Sequence, residues 1–348
     1  MRDLLEPIRS RHDLPALAVC VICNGKIEAT EAVGLRSIGT KVKVTAADEF
    51  HLGSCTKAMT ATLIASLVEE GRLSWTTTIA QGLPRVAKQI RPEYRDVTLD
   101  QLLCHHAGLP AETFPKGPLL DAVFRLRTVH EQRLGYAMLM LNQEPEAPPG
   151  SRYLYSNTSY IIAGTIAEVR TGVGWEELMR RRIFRPLRMG TAGFGPAGTP
   201  GRLNQPLGHK RENGRLVSLE PGPAADNPPL LGPAGTVHVA LGDWAKFVID
   251  HLRGARGQRG LLHVETYRHL HAPPSGSDYA FGWLVLNRPW GGGTVLHHAG
   301  TNTFNYAMVW AAPERDFAVL IGTNVDDFKA CDEVAAAVIN EFAERKSH

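Results

Sequence analysis

The strand patterns of this 348-residue chain lie at its two ends, and this placement restricts the fold more than any other feature. Strand-like runs occupy residues 16–23 and 27–33, separated by the turn dipeptide Asn24-Gly25, and return between residues 281 and 323. Residues 54–270 carry mostly helical periodicity broken by Pro/Gly loops. Because strands and helices do not alternate, a doubly wound parallel sheet is disfavoured. The pattern predicts an α+β fold with an antiparallel sheet built from both ends of the chain.

Helical patterns flank the predicted sheet and fill the interval between its two halves. We expect terminal helices over residues 1–12 and 328–344 and a long loop over residues 195–233. The predicted units are residues 1–53 plus 271–348, which form the sheet with its flanking helices, and residues 54–270, a mainly helical insert with the active site at the junction. The helices predicted in the insert cover residues 57–70, 98–104, 159–171, 175–182 and 243–252, and the C-terminal strands cover residues 281–286, 294–298, 306–311 and 318–323.

Composition excludes several classes of partner. The 38 Lys and Arg against 35 Asp and Glu leave a formal charge of only +3, so no electrostatic nucleic-acid footprint is expected. No apolar run approaches the roughly 20 residues of a membrane span, and the charged N-terminus does not resemble a secretory signal, so we expect a cytoplasmic protein.

The five cysteines are scattered, which argues against a disulfide framework. Cys20 and Cys23 lie in an apolar strand and are expected to face opposite ways.

Two motifs that could hold a cofactor or a metal lack the context that either would need. The G-x-G-x-x-G of residues 193–198 follows a helical stretch and precedes Thr199-Pro200-Gly201, so it is interpreted as a loop and not as a dinucleotide site. The pairs His105-His106 and His297-His298 have no accompanying third ligand, and neighbouring side chains on a strand point apart. No cofactor and no metal are expected.

The most informative short motif is an S-x-x-K formed by Ser54 and Lys57 at the start of a predicted helix. A serine hydroxyl is a weak nucleophile until a neighbouring base removes its proton, and a lysine desolvated in an apolar helix can lose its own proton near neutral pH. The helix N-terminus also supplies a backbone N–H and a positive dipole end for a developing oxyanion. The alternative is a serine N-cap beside a surface lysine.

Two later segments carry groups that would complete such a site. Tyr155 and Asn157 follow the turn-forming Pro148-Pro149-Gly150, and we expect them in loop or extended backbone. A phenol beside a lysine ammonium is expected to have a lowered pKa and to relay protons. On a C-terminal strand, His298-Ala299-Gly300 precedes Thr301; the glycine allows close approach to the strand, and the Thr301 N–H can serve as a second oxyanion donor.

In this order the three elements resemble the penicillin-recognising serine hydrolases, the superfamily of class C β-lactamases, D-Ala-D-Ala peptidases and family VIII carboxylesterases. The resemblance covers about residues 14–344 and includes Leu102–Pro110, which is similar to the family's L-L-x-H-x-S-G-L loop. It implies a β-lactamase/transpeptidase-like fold and an acyl-enzyme on Ser54. It also implies that Lys57 and Tyr155 share the proton transfers, with the choice of base left open.

The resemblance further implies that Asn157 orients Lys57 and the substrate, and that the N–H groups of Ser54 and Thr301 form the oxyanion hole. His298 stands where β-lactamases usually carry a lysine, and Ala299 supplies no hydroxyl. Recognition of a substrate carboxylate is therefore expected to be weakened.

These observations predict a serine hydrolase of carboxylesterase type that acts on small esters or amides. The alternatives are a β-lactamase or D-amino-acid peptidase, an acyltransferase that uses the same acyl-enzyme, and a catalytically silent binding protein. The expected partner is a small-molecule ester, amide or β-lactam substrate. The oligomeric state is left open.

Overall fold

The sheet at the centre of the fold joins the two ends of the chain, as the strand placement predicts. The computed structural model describes residues 1–111, 114 and 116–343. In that part of the chain the strands are β1 (Ala16–Cys23), β2 (Lys26–Gly34), β3 (Glu49–His51), β4 (Gly193–Phe194), β5 (Gly208–Glu212), β6 (Arg215–Leu219), β7 (Val237–Ala240), β8 (Tyr279–Ala280), β9 (Trp283–Arg288), β10 (Gly293–Thr301), β11 (Tyr306–Ala312) and β12 (Phe317–Thr323).

The helices lie at both ends and, for the most part, between the two groups of sheet strands. They are α1 (Arg2–Arg11), α2 (Thr56–Glu69), α3 (Ile79–Gly82), α4 (Pro92–Arg95), α5 (Leu99–Leu103), α6 (Pro118–Phe124), α7 (Val129–Met140), α8 (Asn157–Thr171), α9 (Trp175–Met179), α10 (Gly232–Gly235), α11 (Leu241–Ala255), α12 (Val264–Leu270) and α13 (Phe328–Ala343). Residue 344, the predicted end of the last helix, lies outside the described residues.

The main sheet has seven strands in the order β2-β1-β12-β11-β10-β9-β8. Its neighbouring strands are antiparallel, and β12 pairs with β1 in a register that runs from Leu17 opposite Thr323 to Cys23 opposite Phe317. A strand from the end of the chain thus lies beside one from its beginning. The predicted α+β class with an antiparallel sheet from both ends is confirmed.

Each face of the sheet is covered by a separate apolar core. One face packs against α1 and α13, whose buried side chains include Leu5, Ile8, Val334 and Val338, and the other face packs against the helices of the interior. Strand β1 is buried along its whole length because both of its faces are covered, which explains its continuous apolar sequence. Cys20 and Cys23 lie in different cores, on opposite faces of β1, as the strand alternation predicts, and neither forms a disulfide.

The fold differs from the sequence-based expectation in several places. Residues 195–233 are not loop throughout, since β5 and β6 form a hairpin there; their charged, weakly alternating sequence hides the strands. The predicted helix 175–182 ends as α-helix at Met179 and continues as a π-turn over Arg180–Phe184. The G-x-G-x-x-G segment begins in β4, which pairs with β7.

A smaller sheet of order β3-β7-β4 connects residues 49–51 to strands from the middle of the chain. It fixes the segment that leads into α2. The division into residues 1–53 plus 271–348 and residues 54–270 remains a prediction. Among the described residues, no helix is both long enough and apolar enough to cross a membrane.

Candidate active site

Ser54 lies in a single 3₁₀ turn, Gly53–Cys55, that leads directly into α2. The sequence predicts that Ser54 itself opens the helix, but α2 begins two residues later, at Thr56. Gly53, at the start of the turn, adopts a positive φ of 49°. A Cβ on Gly53 would lie 2.3 Å from the backbone nitrogen of Thr301, and a Cβ on Gly300 would lie 2.3 Å from that of Ser54. Two glycines therefore let the turn and β10 approach backbone to backbone. This contact brings together the two segments that carry the expected oxyanion donors.

Lys57 is completely buried in the first turn of α2, and its ammonium has three oxygen partners. The Nζ atom lies 3.0 Å from Ser54 Oγ, 2.7 Å from Asn157 Oδ1 and 2.8 Å from the carbonyl oxygen of Ala234. An ammonium donates to all three. A neutral amine has only two N–H groups, and if the carbonyl and the amide oxygen accept these, the lone pair is directed at Ser54. The arrangement therefore suits both protonation states of Lys57.

Burial lowers the pKa of Lys57 from 10.5 to about 7. The surrounding helix explains this, since α2 is buried at almost every position of its first three turns and brings no carboxylate to the ammonium. A substantial fraction of Lys57 is then neutral at physiological pH, which is the state in which an amine accepts a proton from serine.

Tyr155 lies next to Ser54 and Lys57, but its ionisation differs from the sequence-based expectation. Burial raises the pKa of its phenol and outweighs the lowering effect of its hydrogen bond with Ser54. The expected lowered pKa is wrong because desolvation dominates in this enclosed position. Lys57 Nζ lies 4.9 Å from the centre of the Tyr155 ring, and the buried ring of His105 lies 4.4 Å from it. Tyr155 is therefore a protonated hydroxyl at neutral pH.

Asn157 is the first residue of α8, and not part of a loop as expected. The preceding Ser156 has extended backbone, and its N–H donates to Nδ1 of His105, which fixes the entry into the helix. The start of α8 thus aims the Asn157 amide oxygen at Lys57. Tyr155 immediately precedes the helix.

His298 and Gly300 lie on the face of β10 directed at the Gly53–Cys55 turn, while Ala299 packs against the other core. The Nδ1–H of His298 donates to the carbonyl of Ala299 at 2.7 Å, so that Nε2 accepts from the Tyr279 hydroxyl at 3.2 Å. Burial and the nearby Lys57 charge lower the pKa of His298 to about 3. The imidazole is therefore neutral and brings no positive charge to the site.

Three contributors to this region were not found by sequence reasoning: the Ala234 carbonyl, Tyr279 and the ring of His105. A backbone carbonyl in a Pro/Gly-rich stretch has no sequence signal. His105 does lie at the histidine position of the segment that resembles the family's L-L-x-H-x-S-G-L loop, and its position there could have indicated a role. In the described part of the chain, no group of three or more His, Cys, Asp or Glu side chains is placed to hold a metal ion.

Comparison with known proteins identifies a family and several relatives. The beta-lactamase family model matches residues 1–344. Penicillin-binding protein 4 of Amycolatopsis lactamdurans is 30% identical over 253 residues, which are 72% of this chain and 63% of that protein. Protein flp of Staphylococcus aureus is 21% identical over 327 residues, 93% of this chain and 62% of that protein. The chain thus spans slightly less than two thirds of the length of these relatives.

Among solved structures, the octameric penicillin-binding protein homologue from Pyrococcus abyssi superimposes with a TM-score of 0.79 at 22% identity. The match covers 98% of this chain and 76% of that one, and at this identity it shows the fold. The family match, by contrast, extends over almost the whole sequence. The chain belongs to the beta-lactamase family.

Proposed function

We propose that this protein is a serine hydrolase that cleaves small, uncharged esters through an acyl-enzyme on Ser54, an activity of carboxylesterase type. The observation that carries the proposal is the buried Lys57 amine, 3.0 Å from Ser54 Oγ and held by two carbonyl-type acceptors. Family membership supports the coarser part, a serine hydrolase or acyl-transferase chemistry.

In the proposed first step, Lys57 accepts the proton of Ser54 while Oγ forms a bond to the substrate carbonyl carbon. The carbonyl oxygen becomes an oxyanion held by the N–H groups of Ser54 and Thr301. Lys57 is the better base of the two candidates, because burial lowers its pKa to about 7 whereas burial raises that of Tyr155.

In the second step the tetrahedral adduct collapses and the bond to the leaving alcohol breaks. Tyr155, which is protonated and hydrogen-bonded to Ser54, donates a proton to the leaving oxygen. The Lys57 ammonium gives the proton it took from Ser54 to Tyr155, so that Lys57 is again neutral and Tyr155 again protonated. In deacylation, water takes the place of the alcohol, and the same proton transfers run in the reverse direction until the acid is released from Ser54. An alcohol or amine in place of water would make the reaction an acyl transfer.

The preference for uncharged substrates follows from the charges near Ser54. His298 is neutral with both of its ring nitrogens engaged, and Ala299 faces away from the site. Lys57 is enclosed by its own acceptors. A substrate carboxylate would therefore lose its hydration without gaining a cation.

A second candidate is reaction with β-lactams or D-amino-acid peptides, which is favoured by the likeness to Penicillin-binding protein 4. Turnover of short p-nitrophenyl esters and of a chromogenic cephalosporin ranks the two. The proposal expects the higher kcat/KM for the esters, with neither substrate turned over by Ser54→Ala. Faster cephalosporin turnover would overturn the ester assignment, and no turnover of either substrate, with or without an added alcohol acceptor, would favour a silent binding protein.

A further inference from the structure

A buried carboxylate lies between the two segments that carry the expected oxyanion donors. Asp226 follows a short 3₁₀ turn, Pro223–Ala225, and its side chain is only 3% exposed. Its Oδ2 atom lies 2.9 Å from Nε2 of His51, and its Oδ1 atom lies 2.9 Å from Nδ2 of Asn302. Oδ1 also accepts from the backbone N–H of Asn227 at 2.7 Å. One carboxylate is thus shared by β3, its own loop and the residue after β10.

The hydrogen bond with His51 connects Asp226 to the Gly53–Cys55 turn. The backbone N–H of Gly53 donates to Nδ1 of His51 at 3.1 Å, and because an N–H can only donate, Nδ1 must be the acceptor nitrogen. The proton of the neutral ring is then on Nε2, from which it is donated to Asp226. The chain Asp226–His51–Gly53 therefore ends one residue before Ser54, and His51 is only 3% exposed.

The contact with Asn302 reaches the other half of the expected oxyanion hole. Asn302 directly follows Thr301 and is buried. Its Oδ1 accepts from the N–H of Phe304 and from Nδ2 of Asn305, so its Nδ2 must point toward Asp226. The orientation of this amide is fixed on both sides.

We propose that Asp226 is a positioning residue that sets the distance between the two oxyanion donors, through His51 and Gly53 on one side and Asn302 on the other. This inference rests on the proposed acyl-enzyme function of Ser54. Neither donor is carried by Asp226, so its effect is on the placement of the Ser54 and Thr301 N–H groups. A misplacement of such donors by a fraction of an ångström destabilises the transition state more than it weakens the binding of the substrate.

The carboxylate is required because three donors converge on it. A carboxylate offers two acceptor oxygens and no hydrogen, whereas an asparagine offers one oxygen and two N–H groups. In Asp226→Asn, either His51 Nε2–H or the Asn302 amide and the Asn227 N–H would face an N–H group. One of the two links must then open, although the volume of the side chain is nearly unchanged.

The test compares Asp226→Asn with Asp250→Asn, a matched control. Asp250 is also a buried aspartate that accepts from a backbone N–H, that of Leu261, and from a hydroxyl, that of Tyr267, but its partners lie away from Ser54. The readouts are kcat and KM for a p-nitrophenyl ester and the affinity for an alkyl boronic acid, which forms a tetrahedral adduct with the serine.

For Asp226→Asn we expect kcat to fall roughly 10- to 100-fold, KM to change less than about threefold, and boronic acid affinity to weaken in parallel with kcat. The pH midpoint of kcat/KM should stay where it is in the wild type, because Lys57 is untouched. Asp250→Asn should keep wild-type kcat and boronic acid affinity.

Wild-type kinetics in Asp226→Asn, an equal loss in the control, or a loss of kcat without loss of boronic acid affinity would each overturn the inference. If Asp226→Asn does not fold, His51→Phe keeps a ring but has neither an N–H donor nor an acceptor, so it opens the same link from its other end and should give the same parallel loss. Unchanged boronic acid affinity in His51→Phe would overturn the inference too. A wild-type protein that neither turns over esters nor binds the boronic acid would instead refute the proposed function.

Discussion

At the scale of single residues, burial decides the chemistry of this site more than charge pairing does. Lys57 is surrounded by neutral acceptors, and desolvation lowers its pKa to about 7. The same effect keeps Tyr155 protonated and His298 neutral. In the proposed reaction Lys57 can therefore accept the serine proton and Tyr155 can donate one, while His298 brings no charge to the site.

The pH dependence of acylation tests the assignment of Lys57 as base. Because only the neutral amine accepts a proton, kcat/KM for an ester should rise with pH and reach half of its plateau value near pH 7. At higher pH it should reach the plateau and stay level. One pH unit below the midpoint the rate should be about tenfold under the plateau.

Lys57→Arg is the matched variant, since it keeps a cation but cannot lose its proton near neutrality. It should lower kcat/KM by at least about 100-fold over the whole range. A rate that is flat from pH 5 to 9, or an arginine variant with near-normal activity, would contradict the role of Lys57.

Under the proposed function, the neutral His298 disfavours substrates that carry a carboxylate. His298→Lys places a cation at this position, so turnover of a carboxylate-bearing cephalosporin should rise relative to that of a neutral ester by roughly 10-fold or more. The ratio of the two kcat/KM values is the measurement. His297→Lys, on the opposite face of β10 against Trp310, serves as control and should leave the ratio unchanged. An unchanged ratio in His298→Lys would show that position 298 does not select against carboxylates.

At the scale of secondary structure, the site depends on the contact between β10 and the turn before α2. Gly53 and Gly300 allow the two backbones to touch, and β3 holds the start of the turn through its pairing with β7. The start of α8 then brings Asn157 to Lys57 from a third direction. Ser54 is therefore placed by a junction of elements that are far apart in sequence.

Gly300→Ala tests this junction. The new Cβ would lie 2.3 Å from both the Leu52 oxygen and the Ser54 nitrogen, so the turn and the strand must separate. We expect ester turnover to fall by about 100-fold or more, as for loss of an oxyanion donor. Gly190→Ala is the control, because nothing lies within 4 Å of its Cβ position, and its activity should be unchanged. Wild-type kcat in Gly300→Ala would contradict the close approach.

Several of these elements could be predicted from the sequence because local patterns determine them. The alternation and apolar content of residues 16–23, and the four-residue spacing in α2, give strand and helix with boundaries within about one residue of those observed. The β5–β6 hairpin was missed, since its exposed, charged residues show little alternation.

The three-residue spacing of Ser54 and Lys57 across the start of α2 could likewise predict that the two side chains meet. It could not predict the Ala234 carbonyl, Tyr279 or the Asp226 link, because these depend on tertiary contacts between distant segments. The sign of the Tyr155 pKa shift was wrong for a related reason: the extent of burial is not visible in a Y-x-N motif.

At the scale of the whole molecule, a buried ion-pair network ties three helices to the segment that supplies Ala234. Arg133 on α7 is fully buried and pairs with Glu168 on α8, at 2.6 Å, and with Glu176 on α9. Its guanidinium also donates to the carbonyl oxygens of Pro229 and Leu230. The loop before α10 is thereby held against the helices.

Removal of this guanidinium should cost much of the stability of the protein. Arg133→Met leaves two carboxylates without their cation, and we expect the free energy of unfolding to fall by about 3–5 kcal/mol. Urea unfolding followed by tryptophan fluorescence measures it. Arg181→Met removes an exposed pair with Glu177 and should change stability by less than about 1 kcal/mol. Similar losses of unfolding free energy in both variants would contradict the prediction that the buried network stabilises the fold more than the exposed pair does.

The central claim is that Ser54 forms a covalent acyl-enzyme, and intact-protein mass spectrometry after incubation with a fluorophosphonate tests it most directly. Acyl-enzyme chemistry at a single activated serine predicts that the wild-type protein gains the mass of one probe molecule and that Ser54→Ala gains none. A wild-type mass that never shifts, or an adduct that persists in Ser54→Ala, would contradict it.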